Sequence, residues 1–307
     1  MEATRPLGVE TPERVLHRLE WQVIRRLDGR LQGNYRTIFR GVGTDFRDLR
    51  EYEPGDDVRH IDWNVTARLQ TPYVREFHED REITAWFLLD LSQSVNFGST
   101  HVRKRNVSSD FVAVLARLLT RRGNRVGALY YGEKVDGMIP ARSGRRQVLA
   151  ILHAMQAEPE TPSSSGTNLG ELLRAAEHAV RRRSLVFVVS DFISAPGWAE
   201  ALGRLAQRHE IIAVRLHDPL EAELPDLGLV VVQDAETGEQ LFVDTNDRGF
   251  RKRFAAAAAR REAELRAAFS EAQVDAIELS TNDDLVETVM RFADLKRRGR
   301  HSKRFSA

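Results

Sequence analysis

The sequence predicts an α/β protein built on a doubly wound, mostly parallel sheet. Two observations carry that expectation. From residue 83 to residue 216, apolar strand-like runs alternate with helical stretches, a pattern that calls for parallel strands covered by helices on both faces. The chain has 307 residues, 42% of them hydrophobic, enough for one large core with an appendage.

The elements follow in chain order. Residues 12–28 place Val15, Leu16, Leu19, Val23, Ile24 and Leu27 at helical spacing with Arg and Glu between them, an amphipathic helix whose apolar stripe docks on the body. Mixed charges and a single Trp21 argue against a membrane-surface helix. Residues 29–82 read as short strands and turns rich in Arg, Asp, Gly and Tyr. The strand Ile83–Leu89 is followed by a helix near Val102–Arg122, and Val126–Tyr131 by a helix at Arg145–Met155. A helix at Leu169–Arg182, a strand at Leu185–Ser190, a helix near Trp198–Arg208 and a strand at Ile211–Leu216 continue the alternation. Residues 229–243 read as a hairpin turning through Glu236-Thr237-Gly238. A long helix over 247–271, a strand at Ala276–Leu279 and a helix near Asp283–Lys296 complete the chain, with Ser280-Thr281-Asn282-Asp283 as the last helix's cap. Pro159 to Ser165 form a Pro/Ser loop.

Composition narrows the functional classes. No stretch approaches the roughly 18 consecutive apolar residues of a membrane span. The first residues lack the apolar core of a signal peptide, so a cytoplasmic location is expected. The absence of cysteine excludes disulfides and thiolate metal sites. Net charge is +1, but six Lys and Arg side chains lie between Lys296 and Arg304, leaving the body at about −5. That balance argues against nucleic-acid binding. The tail reads as a solvated end that could also meet an anionic surface peripherally.

The most informative run is Phe87-Leu88-Leu89-Asp90-Leu91-Ser92-Gln93-Ser94, an apolar strand ending in three hard oxygen ligands spaced Asp-x-Ser-x-Ser. Residues two apart in extended geometry project to one side, so Asp90, Ser92 and Ser94 can converge. A small hard cation needs further ligands. Thr167, opening a helical pattern, and Asp191, ending the run from Leu185 to Ser190, stand where an open α/β sheet gathers them. Turn and cap chemistry is the alternative for each of the five.

These five residues, in this order, resemble the complete metal-ion-dependent adhesion site of von Willebrand factor A domains. The preceding segment resembles the signature of bacterial "domain of unknown function 58" proteins, which join it to an A-type domain. It comprises Gly41-Val42-Gly43-Thr44-Asp45-Phe46, Arg50-x-Tyr52, Gly55-Asp56-Asp57-x-Arg59-x-Ile61-Asp62-Trp63 and Ala67-Arg68. The two resemblances span roughly residues 30 to 290. They imply an N-terminal helix with a small β-rich region over residues 1–80, an A-like domain over 81–297 and a basic tail over 298–307. They further imply Mg²⁺ or Mn²⁺ held by Asp90, Ser92, Ser94, Thr167 and Asp191, the hydroxyls binding directly and one or both aspartates through water. A partner's Asp or Glu would take the open position. Proteins of this kind commonly accompany MoxR-type AAA+ ATPases, which implies an adaptor in chaperone-like maturation of a client protein.

Within the second signature, Arg50, Tyr52, Asp56, Asp57, Arg59, Asp62, Trp63 and Arg68 form either a structural network of ion pairs and turns or a partner-docking surface. Against an enzyme, an aspartyl nucleophile would favour a general acid/base two residues on, where Ser92 stands. No His-Glu-x-x-His and no Gly-x-x-x-x-Gly-Lys-Ser/Thr occurs either. The expectation is therefore a non-enzymatic interaction module, with a metal-dependent phosphoesterase or nuclease as the alternative.

Overall fold

The computed structural model describes residues 10–30, 49–53, 56, 58, 61–75, 83–99, 102–132, 134–157, 167–233 and 240–291. These fall into two units, one within Met1–Ile38 and Thr84–Ala307, the other within Phe39–Ile83. The N-terminal helix thus belongs to the same unit as the large sheet. The turn at 236–238, the Pro/Ser loop and the basic tail lie outside the described residues.

The chain opens with α1 (Pro12–Leu19), a π-helical turn over Glu20–Ile24 and α2 (Arg25–Arg30). All six apolar residues of the expected stripe are buried. In the smaller unit, β1 (Leu49–Glu51) pairs antiparallel with β2 (Tyr73–Arg75), and between them lies the helix α3 (Trp63–Leu69). That helix was not expected among strands and turns. Asp62 starts it by accepting hydrogen bonds from the Asn64 and Val65 backbone N–H groups.

The large unit continues with β3 (Thr84–Asp90), α4 (Lys104–Arg121), β4 (Arg125–Tyr131), β5 (Val135–Arg142), α5 (Arg145–Gln156), α6 (Leu169–Ala179), β6 (Leu185–Ser190), α7 (Trp198–Arg208) and β7 (Glu210–His217). It ends with β8 (Leu229–Gln233), β9 (Gln240–Asp244), α8 (Arg248–Glu271), β10 (Asp275–Ser280) and a last helix α9 over 285–291. Strand β5 is an addition to the expected set. It hides because Gly137 and Pro140 interrupt it and every second residue faces outward, as suits an edge strand. The cap of α9 is Asp284, which accepts from the Val286 N–H at 2.7 Å, one residue later than expected.

Six strands form the main sheet in the order β10-β7-β6-β3-β4-β5. All neighbours are parallel except β4 and β5. Helices cover both faces, so the fold is α/β and doubly wound. On one face Trp86, Leu88, Val186, Val188 and Ala213 pack against Leu172 and Leu173 of α6, Leu202 and Leu205 of α7 and Phe269 of α8. On the other, Phe87 stacks on Phe187 at 5.2 Å and Phe111 of α4 meets Phe187 edge-on. α1 docks on α4 through a fork of hydrogen bonds from Arg18 to Asp110, and Arg117 of α4 donates to Glu20 of the π-helical turn at 2.6 Å.

The strand order fixes where a site can form. From β3 the chain builds outward through β4 and β5, then returns to add β6 on the other flank of β3. The direction of winding reverses between β3 and β6, and the crevice outside the carboxyl ends of two such strands is where open α/β sheets place their ligands.

Candidate metal centre

Asp90 ends β3 and Asp191 follows β6, so the two carboxylates stand at that reversal. The Asp90 carboxylate is fully buried, and each of its oxygens is occupied. Oδ1 accepts from the Ser92 N–H at 3.0 Å, and Oδ2 accepts from the Ser190 hydroxyl at 2.6 Å. Ser190 in turn accepts from the Phe192 N–H, so one hydroxyl joins the ends of β3 and β6.

The convergence of Asp90, Ser92 and Ser94 comes about differently from the extended alternation expected. Asp90 folds the chain back on Ser92, and a 3₁₀ turn over Gln93–Asn96 then carries Ser94. The Ser92 and Ser94 hydroxyls meet at 3.1 Å. Both are buried, as are Thr167 and Asp191.

Thr167 is brought in by its backbone. Its carbonyl accepts from the Ala195 N–H at 2.9 Å and from the Ser194 hydroxyl at 3.1 Å, while Ser194 accepts from the Leu169 N–H at 2.8 Å. This clasp fastens the start of α6 to the loop after Asp191. Helix α6 starts from Asn168, without a side-chain cap bond, so capping by Thr167 does not apply.

Asp191 also carries two bonds. Oδ1 accepts from the Ile193 N–H at 3.0 Å, and Oδ2 accepts from the Lys104 ammonium at 2.7 Å. Between them Phe192 adopts φ +58°, a left-handed conformation that costs a bulky residue about 1–3 kcal/mol. Its ring is held between Trp198 at 5.2 Å and Phe269 at 4.9 Å, and this aromatic packing keeps the strained loop in place. Beside it lies a cavity of about 500 Å³, lined by Asp191, Phe192, Trp198, His217, Glu221 and Leu265 among others.

Electrostatics at the centre are unfavourable to two bare carboxylates. Burial, then the neighbouring Asp191 charge, pushes the Asp90 carboxyl up to about 6. Added positive charge would relieve that cost. Among the described residues no three His, Cys, Asp or Glu side chains gather to hold a metal. The centre offers two carboxylates and three hydroxyls.

Two contributors escaped the sequence reading. Ser190 looked like the last residue of a strand. Lys104 falls within the helix expected near Val102–Arg122 and carried no role there, yet its side chain is 1% exposed and also donates to Glu221 at 2.6 Å. The available signal was its place in the first turn of α4 with no acid beside it, a poor position for a cation unless a distant carboxylate meets it.

Residues 48–264 match the family model described as "Protein of unknown function DUF58". The chain belongs to this family. The DUF58 chain is 35% identical over 286 residues to the uncharacterized proteins Mb1516 of Mycobacterium bovis and Rv1480 of Mycobacterium tuberculosis, with 92% of the chain and 89% of each relative covered. Among solved structures it is similar to an aerotolerance-related membrane protein from Bacteroides fragilis (12% identity, TM-score 0.47) and to the conserved hypothetical protein BatB from Bacteroides thetaiotaomicron (15% identity, TM-score 0.46). Each alignment covers 70% of this chain and 99% of the other. Among the described residues of the DUF58 chain, no helix is long and apolar enough to cross a membrane.

The smaller unit carries the rest of the expected residues. Arg50 donates to both oxygens of Asp56 at 2.7 and 2.5 Å, and Asp56 also accepts from the Glu53 N–H. Asp62 caps α3. These bonds lie within a local turn and at a helix start. Tyr52 is half-buried, Arg68 is exposed and Trp63 is 68% exposed. Asp57 and Arg59 lie outside the described residues.

Proposed function

We propose that this DUF58 protein is a metal-dependent protein-interaction module with a von Willebrand factor A-like domain, in which Asp90, Ser92, Ser94, Thr167 and Asp191 hold Mg²⁺ or Mn²⁺. The observation that supports this is the pair of buried carboxylates, Asp90 and Asp191, at the reversal of strand order, with the buried Ser92 and Ser94 beside Asp90 and the buried Thr167 clasped to the loop after Asp191. The donor set suits a small hard cation, since every donor is oxygen and the two carboxylates balance its charge. Because all four carboxylate oxygens already accept hydrogen bonds, the aspartates fit best as groups acting through water, with the hydroxyls of Ser92, Ser94 and Thr167 as direct ligands. Bound there, the cation supplies an electrophilic position that an acidic side chain of a partner completes.

The family resemblance supplies the partner class, a MoxR-type AAA+ ATPase, with this chain as its adaptor in the chaperone-like assembly or maturation of a client, in the cytoplasm. Ser92, rather than a general acid or base, stands two residues after Asp90, which favours binding over turnover. Capture of the ATPase by tagged protein is expected in Mg²⁺ and lost in EDTA and in Asp90→Ala. Capture that persists in both would refute the metal bridge, and phosphoester turnover abolished by Asp90→Ala would favour a metal-dependent hydrolase instead.

A further inference from the structure

The least expected group at the centre is Lys104. It is almost wholly buried, and its ammonium bridges Asp191 and Glu221 at 2.7 and 2.6 Å. Glu221 sits on the 3₁₀ turn Pro219–Glu221 after β7, so the bridge joins the start of α4 to the loops after β6 and β7. A lysine loses much of its hydration on burial and persists only where carboxylates compensate it. Here burial opposes its charge, but Asp191 and Glu221 outweigh that and hold it above the ordinary lysine value.

We infer that Lys104 is a positioning residue that weakens the centre's own hold on its divalent cation, so that retention of the cation depends on the partner's acidic group. This rests on the metal-dependent reading above. Asp191 is one of only two carboxylates assigned to the cation, and one of its oxygens is already committed to an internal cation. A divalent ion at the centre shares Asp191 with an ammonium and is repelled by it. Glu221 is the second anchor, which keeps Lys104 in place while Asp191 is shared. An incoming carboxylate supplies the negative charge that Lys104 removes, so cation and partner strengthen each other's binding, as linkage requires.

The test is Mn²⁺ affinity of the full chain, read from the free-Mn²⁺ electron paramagnetic resonance signal, with thermal unfolding in the presence and absence of Mn²⁺ as a second measure. Lys104→Met, neutral and similar in length, is expected to bind Mn²⁺ at least about tenfold more tightly than wild type. Glu221→Gln leaves Lys104 to Asp191 alone and is expected to bind more weakly. A purely structural role weakens both variants or moves neither. Wild-type binding with unchanged or weaker affinity in a folded Lys104→Met, or with unchanged or tighter affinity in Glu221→Gln, overturns this inference and leaves the metal centre standing. Absence of Mn²⁺ binding in wild type and in both variants overturns the two together, and binding by Lys104→Met alone supports Lys104 in its strongest form.

Discussion

Asp218 illustrates how single side chains hold the loops around the centre. It is fully buried, and its carboxylate accepts from the Ser99 N–H and hydroxyl, the Thr281 hydroxyl and the Leu220 N–H. Burial opposes ionisation, but these bonds outweigh it and hold the carboxyl below its ordinary value of 3.8. A lowered carboxyl contributes stability above its unfolded value and loses it as pH falls through the folded one. Urea denaturation should therefore find Asp218→Asn less stable than wild type by about 1–3 kcal/mol at neutral pH, with the gap closing below about pH 3.8. A gap constant with pH would mean that the carboxylate's charge is not what its donors require. This Asp gave no sign of its role in the sequence, because its donors lie up to 119 residues away. Lys104 escaped for the same reason, its carboxylates being 87 and 117 residues distant. Asp90 and Asp191 were legible because each ends an apolar run, a purely local pattern.

Elements obey the same division. The strands β3, β6 and β7 stand out in the sequence because continuous burial demands continuous apolar residues, and the helix α7 because its buried Ala201, Leu202 and Leu205 fall at helical spacing. Edge strand β5 and the short helix α3 do not, since the one carries Gly137 and Pro140 and the other buries no residue. Within β4, Gly127 marks a close approach, where an added Cβ would lie 2.8 Å from the Trp86 ring and 3.0 Å from the Ile139 carbonyl oxygen. Gly127→Ala should cost about 1–3 kcal/mol in chemical denaturation, and Trp86 fluorescence should shift as the ring is displaced. An unperturbed spectrum at wild-type stability would show that β4 has room the packing denies. In α1, Leu16 is fully buried, so Leu16→Ala should lose about 2–5 kcal/mol. A much smaller loss by urea titration would mean that the N-terminal helix docks only loosely.

For the molecule as a whole, a cation held at the proposed centre would couple stability to binding. A ligand that binds only the folded state stabilises it by about 2.7 kcal/mol at one hundred times its Kd, so Mn²⁺ should raise Tm in wild type and leave Asp90→Ala unmoved. Equal shifts in both proteins would place any bound ion elsewhere.

By itself the sequence determined the α/β class, most of the strands and helices that build the sheet, and the five residues proposed as the centre, because burial and turn chemistry write themselves into neighbouring residues. Tertiary structure alone decided the strand order β10-β7-β6-β3-β4-β5, the fully occupied carboxylate oxygens and the buried Lys104 bridge. Each of these joins groups far apart in the chain, and a pattern read along the chain carries no record of which distant donor meets which acceptor.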